Sequence, residues 1–275
     1  MTLRRGLALC LVSLLGLTSG CAIVEEAFMI SPEQELGLMQ QVRAEVEKKY
    51  TLVRDPVVVD YVRQVGGRVL AHAPDRAAFP VEFSVVADDS INAFAIPGGR
   101  IYVHTGLINA ADDEAELASV LAHEYGHVVY RHTARHLARG QAAQIGVGLL
   151  LGPESSQVAQ LVANLGAYGA LQHFGREDEL EADSVAVPTL VRAGYDPRAM
   201  ISFFQTMKSR HGDSGGGLAL LLSSHPATED RIARVAAQAD ALGVPDAPDI
   251  RRRPVTELRQ IQARLGQLGL AGSPR

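Results

Sequence analysis

His123, Glu124, Tyr125, Gly126 and His127 form an H-E-x-x-H run inside an apolar stretch with helical periodicity. Residues four apart share one face of a helix, so both imidazoles can reach a single cation while Glu124 points to the neighbouring flank. Two imidazoles with a carboxylate beside them are the equipment of a zinc site that activates water, the carboxylate serving as general base. Such a centre usually takes three protein donors and keeps a fourth position for water, so a further ligand is expected downstream.

The elements that must carry these groups can be read from the surrounding pattern. From Asp112 to His136 there is no proline, the stretch opens with acids, and it closes on Arg131, His132, Arg135 and His136, as a helix dipole prefers. Leu117, Val120, Leu121, Val128 and Val129 recur at helical spacing, which predicts one amphipathic helix. Glu179 is the expected third ligand. It lies at the start of a second predicted helix, running to about Ala193 and stopped by Gly194 and Pro197, with Asp183 one turn further on the same face. A carboxylate on the metal paired with one that holds a ligand imidazole by its second nitrogen is the support such sites use. Glu181 competes for the ligand role but has no acid one turn onward, and a solvated acidic helix start is the plainer reading of the run.

H-E-x-x-H followed by E-x-x-A-D, here Glu179-Leu180-Glu181-Ala182-Asp183, resembles the HtpX/BepA/LoiP-like gluzincin zinc metallopeptidases, the family that includes the CAAX prenyl endopeptidases. Asn92 to Leu107 is similar to that family's strand before the zinc helix, and Ser224-His225-Pro226 through Arg231 to its "HP…R" segment. The resemblance covers about 79–239. It implies a zincin-like fold, one Zn2+ held by His123, His127 and Glu179, Glu124 as base, and Asp183 as partner of His123. It also makes His225 a candidate latency switch able to occupy the open metal position. Read without the family, His225 simply precedes a proline at a helix start. Arg231 is expected to face the site, where it could stabilise an oxyanion; a solvated arginine is the other reading.

Substrate must lie extended beside the metal. The segment Ala93 to Val103, broken by Pro97-Gly98-Gly99, reads as a hairpin or edge strand able to pair with a peptide backbone, with Ala93, Phe94, Ala95 and Tyr102 as its candidate contacts. An interior strand pair without substrate is the alternative.

Ser31-Pro32-Glu33-Gln34 predicts a capped helix to about Tyr50, Asp55-Pro56 a second to about His72, and Val81 to Val86 a strand. Gln141 to Leu151 and Ser156 to Leu171 read as core helices, Gly212 to Gly217 as a loop, and Pro254 to Leu270 as a last amphipathic helix. The expected class is therefore α+β, mostly helical with a small antiparallel sheet. Residues 1–20 carry Arg4 and Arg5, an apolar run from Leu7 and small residues before Cys21, which reads as a secretory signal. Leu17 to Cys21 resembles a bacterial lipobox, and Ala22 the outer-membrane sorting pattern. The expected organisation is signal 1–20, tether 21–30 and one metallopeptidase domain over 31–275, with N-terminal helices at 31–72 and a catalytic core at 79–240. It resembles the compact form of the family, without an appended helical-repeat domain.

Cys10 and Cys21 are the two cysteines, so the mature chain is expected to rely on its core rather than on a disulfide. A hydrophobic share of 47% suffices for one well-buried domain, and a net charge of −5 argues against nucleic acid as a partner. The expected activity is zinc-dependent hydrolysis of peptide bonds in misfolded or unassembled envelope proteins, in the periplasm, on an outer-membrane lipid anchor at Cys21. Outer-membrane assembly machinery is a candidate partner. Two rivals are a latent, chaperone-like protein whose zinc is capped by His225 and a lipoprotein scaffold with a structural metal.

Overall fold

The computed structural model describes residues 29–139, 174–211, 221, 223–226, 228–244 and 255–270. The expected signal, Cys21, the apolar stretches Gln141 to Leu151 and Ser156 to Leu171, and the run Gly212 to Gly217 lie outside the described residues.

Local chemistry sets the helix starts where the sequence predicts them. Ser31 accepts the Gln34 N–H and Gln34 returns a bond to the Ser31 N–H, closing a capping box at the head of α1 (Pro32–Lys49). Asp55 caps α2 (Pro56–His72). Strands β1 (Glu82–Val86), β2 (Ala93–Ile96) and β3 (Arg100–His104) form one sheet in the order β1-β3-β2. The sheet is mixed rather than purely antiparallel, because the β2–β3 hairpin folds back so that β3 inserts beside β1 and runs parallel to it. Gly98 and Gly99, with φ of 79° and 89°, make that turn in the left-handed region open to glycine. Strand β2 is thus at one edge, and Tyr102, expected at an edge, sits in the central strand with partners on both sides.

A short α3 (Thr105–Ala110) leads to α4 (Glu114–Val129), capped by Asp113. The expected amphipathic helix is instead buried on every side from Glu114 to Val128, with α2, α5, α6 and β2 packed around it. Leu117 and Leu121 are wholly buried and each contributes about 1.5–3 kcal/mol. The opening acids find partners inside: Glu114 Oε1 takes bonds from Arg68 (2.5 Å) and Tyr195 (2.6 Å), and Glu116 from the Asp112 N–H and Ser202.

The single helix expected to run to His136 is two. Arg131 adopts φ 55°, and a new helix occupies 132–139. A left-handed residue with a Cβ is costly, and what holds it is the Arg131 guanidinium, whose Nε meets Glu35 at 2.7 Å and whose Nη2 donates to the Ile30 carbonyl at 2.7 Å.

Beyond it lie α5 (Arg176–Ala193), ended by Gly194, α6 (Ala199–His211), α7 (Glu229–Ala241) and α8 (Thr256–Gln267). Side chains of β2 and β3 alternate between two apolar clusters: Ala93, Ala95, Ile101 and Val103 join the main core around α4, while Phe94, Ile96 and Tyr102 pack with Val42 and Val46 of α1.

The tightest helix contact is that of α4 on α5. A Cβ on Gly126 would lie 2.5 Å from the Ala182 carbonyl oxygen and 2.7 Å from its Cα, so the helices approach to backbone contact there. Gly126→Ala is expected to destabilise the protein by about 1–3 kcal/mol. That lowers Tm by about 2–4 °C per kcal/mol in a chain of this size. A variant melting with the parent in a thermal scan would overturn the close-contact account.

Candidate metal centre

Because α4 meets α5 at Gly126 and Ala182, the two helices present His123 and His127 to Glu179 from opposite sides. His123 Nε2 lies 3.1 Å from His127 Nε2 and 3.2 Å from Glu179 Oε2, and His127 Nε2 lies 3.4 Å from Glu179 Oε1. Donors around a four-coordinate metal at about 2.0–2.1 Å stand about 3.4 Å apart, so this spacing fits a single ion. His225 completes the group: its Nδ1 is 2.8 Å from Glu179 Oε1 and 3.2 Å from His123 Nε2, and its Nε2 is 3.3 Å from Glu124 Oε1. Together His123, His127, Glu179 and His225, all buried, make a set that could hold a metal ion.

Glu124 flanks the group without joining it. Its Oε2 accepts the Ala95 N–H at 3.1 Å, and its Oε1 is a buried oxygen with no hydrogen bond. Burial pushes its pKa up, against the opposing charges of His225 and His123, which suits a carboxylate that must take and return a proton. Burial alone would also raise Glu179, but the positive charge on His123 and His225 outweighs it and holds the carboxylate far below its usual range. His123 shows the converse. Burial opposes its charge, yet Glu179 and the Asp183 hydrogen bond raise it to about 9, while burial keeps His127 well below the ordinary value.

Asp183 Oδ1 stands 2.9 Å from His123 Nδ1, which fixes that ring's tautomer and leaves Nε2 to the metal side. Arg231 is buried rather than solvated. Its Nε and Nη2 grip Asp183 at 2.8 and 2.9 Å, Nη1 donates to the Pro226 carbonyl at 3.0 Å, and Nη1 also contacts Glu179. With these donors engaged and the side chain buried, Arg231 faces the site as expected and holds Asp183 and Glu179. The Pro226 bond also ties the His225 segment to the same network.

Glu181 points away from the group, two residues being about 200° of helix from Glu179. Its Oε2 instead meets His132 Nε2 at 2.9 Å and Arg135 at 2.6 Å. Of the expected edge-strand contacts, Ala93 and Ala95 lie on the α4 side of β2, while the Phe94 and Tyr102 rings stack on the α1 side, so those two are corrected away from the site. Sequence reasoning missed Phe174, stacked on the His127 ring at 3.9 Å between centroids, and His132, whose Nδ1 is 2.7 Å from His127 Nδ1. Phe174 carries no motif. His132 was hidden by the assumption of one unbroken helix.

The sequence model of Peptidase family M48 matches residues 59–239. Over 213 residues the chain is 32% identical to the beta-barrel assembly-enhancing protease of Escherichia coli K12, covering 74% of this chain and 43% of that protein. It is 33% identical over 177 residues to the mitochondrial metalloendopeptidase OMA1 of Schizosaccharomyces pombe, covering 64% and 51%. It is also 26% identical over 232 residues to the metalloprotease LoiP of Escherichia coli K12, covering 83% and 90%. The chain thus spans less than half the length of the assembly-enhancing protease. The match runs from the first turn of α2 into α7 and encloses His123, Glu124, His127, Glu179, Asp183, His225 and Arg231, so the chain belongs to peptidase family M48.

Proposed function

We propose that the protein is a zinc-dependent endopeptidase that hydrolyses peptide bonds in misfolded or unassembled envelope proteins, with His123, His127 and Glu179 as ligands of one Zn2+ per chain. The single observation that carries the reading is the approach of these three donors to 3.1–3.4 Å of one another with Glu124 alongside. A structural site has no use for a buried base. Zinc, when bound, lowers the pKa of a water to about 7 and polarises a carbonyl. Glu124 takes the proton from the attacking water at Oε1 and returns it to the leaving amine, while its Oε2 stays anchored on the Ala95 N–H. Substrate lies along β2. Phe94 faces Tyr102 across the ladder and the Asn92 carbonyl bonds to His104, so Ala93 turns its backbone groups away from β3, toward an added strand, while the outward Ala95 N–H is held by Glu124. Recognition through backbone suits unfolded chains of many sequences.

The names of the relatives, a beta-barrel assembly-enhancing protease among them, support envelope polypeptides as substrates and assembly machinery as a partner. The lipobox-like Leu17 to Cys21 supports a lipid anchor at Cys21 on the outer membrane, in the periplasm. Among the described residues no helix is long and apolar enough to cross a membrane.

His225 favours a second, latent reading in which the protein assists outer-membrane protein assembly and cleaves rarely. Its Nδ1 lies within 3.2 Å of both His123 and Glu179, where it would cap the open zinc position.

Glu124→Gln should keep the fold and its zinc while casein cleavage falls by roughly 10²–10⁴-fold; turnover like the parent's would remove Glu124 as base. In Glu179→Ala, metal analysis should find the zinc lost, and a stoichiometric ion there would move the third ligand elsewhere. His225→Ala should cleave casein faster than the parent if the cap is real, and an unchanged or lower rate would end the latency reading.

A further inference from the structure

We propose that His132 and Glu181 form a positioning relay behind His127, the counterpart of Asp183 and Arg231 behind His123; this rests on the zinc reading above. His127 offers Nε2 to the cluster, so its Nδ1 must carry the ring proton. The atom facing that proton, at 2.7 Å, is Nδ1 of His132. An imidazole that accepts at Nδ1 is protonated at Nε2, and His132 Nε2 faces Glu181 Oε2 at 2.9 Å, itself fixed by Arg135 Nη1 at 2.6 Å. One assignment therefore satisfies every nitrogen: His127 donates to His132, His132 donates to Glu181, and the carboxylate charge polarises the ligand through an intervening ring.

Backbone geometry supports the assignment. On an unbroken helix a residue five positions beyond His127 would lie about 140° round the axis and about 7.5 Å along it, out of reach of the ring. The left-handed Arg131 interrupts the helix and turns His132 back beneath His127, leaving it fully buried and stacked on Tyr130. The same atoms, with Asp178, could be taken for a second cation site. Charge argues against that. Arg135 already neutralises Glu181, and Asp178 accepts the Gly175 N–H at 3.1 Å and faces His136 at 2.9 Å.

The test is zinc affinity of the purified chain, by competition with a chromophoric chelator, alongside urea denaturation of the metal-free protein. His132→Ala should bind zinc about 10–100-fold more weakly. His132→Asn, whose Oδ1 can accept the His127 proton where Nδ1 did, should recover most of that loss, and only His132→Ala should change the visible absorption of the cobalt-substituted protein. Should His132→Ala not fold, Glu181→Ala, at a side chain 37% exposed, carries the test and should weaken zinc severalfold, with Glu181→Gln, which keeps the acceptor but not the charge, recovering only part of that loss. The relay is overturned by parental affinity in the alanine variants, by His132→Asn as weak as His132→Ala, or by a second equivalent of zinc that the variants lose. A parent that binds no zinc would instead remove the zinc reading itself.

Discussion

Everything at the centre depends on two helices touching at backbone distance. Gly126 sits one residue before His127, and Ala182 one residue before Asp183, so the point of closest approach of α4 and α5 falls inside both motifs. Helices usually pack 8–10 Å apart, according to the side chains at the contact, and small residues there shorten the distance. A donor set tolerates little looseness, since displacements of about 1 Å undo a site. The small residues of H-E-x-x-H and E-x-x-A-D thus act on the same geometry as the ligands, by setting the gap across which Glu179 reaches the imidazoles.

That gap is filled with charge, and the cost of burying it explains the shape of the network. Glu124, Glu179, Asp183 and Arg231 are all nearly inaccessible to water. Buried ion pairs seldom add net stability over a well-packed apolar alternative, although removing one partner costs about 3–5 kcal/mol. An arrangement of this kind is retained for what it orients. Arg231 joins Asp183, Glu179 and the Pro226 carbonyl, so one guanidinium sets Glu179, the partner of His123 and the segment that carries His225. The hydrogen bond and charge of His123, with Arg231, overcome the effect of burial and bring Asp183 down to about 2, so it stays an anion beside His123 over the working range.

Much of this was legible because the signals are local. Caps at Ser31 and Asp55, the stop at Gly194 and the spacing of His123 and His127 all follow from interactions within a few residues, and they hold in the structure. Glu179 and Asp183 could be paired from their i,i+4 spacing alone. What could not be read depends on tertiary context. Nothing near Arg131 in sequence forbids a continuing helix; its left-handed turn is imposed by Glu35, 96 residues earlier. The face of β2 that meets α4 could not be chosen without knowing that α1 covers the other, so Phe94 and Tyr102 were placed at the site rather than against α1. The parallel β1–β3 pairing is equally invisible, because it depends on where the hairpin docks.

The link from Glu35 to Arg131 has a further consequence for how the parts move together. Glu35 Oε2 holds the Arg131 side chain, and its Oε1 accepts the Gly98 N–H at the tip of the β2–β3 hairpin at 3.2 Å. A single buried carboxylate in α1 therefore fixes both the end of the zinc helix and the turn from which the edge strand springs. Glu124 makes the second tie between the same two elements, from its Oε2 to the Ala95 N–H. Two attachments on one strand, at Ala95 and at Gly98, restrain its sliding and its rotation relative to α4. On the proposed substrate path along β2, the register of that strand would decide which peptide bond meets the metal, and α1 would help to set it without contributing a group to the chemistry.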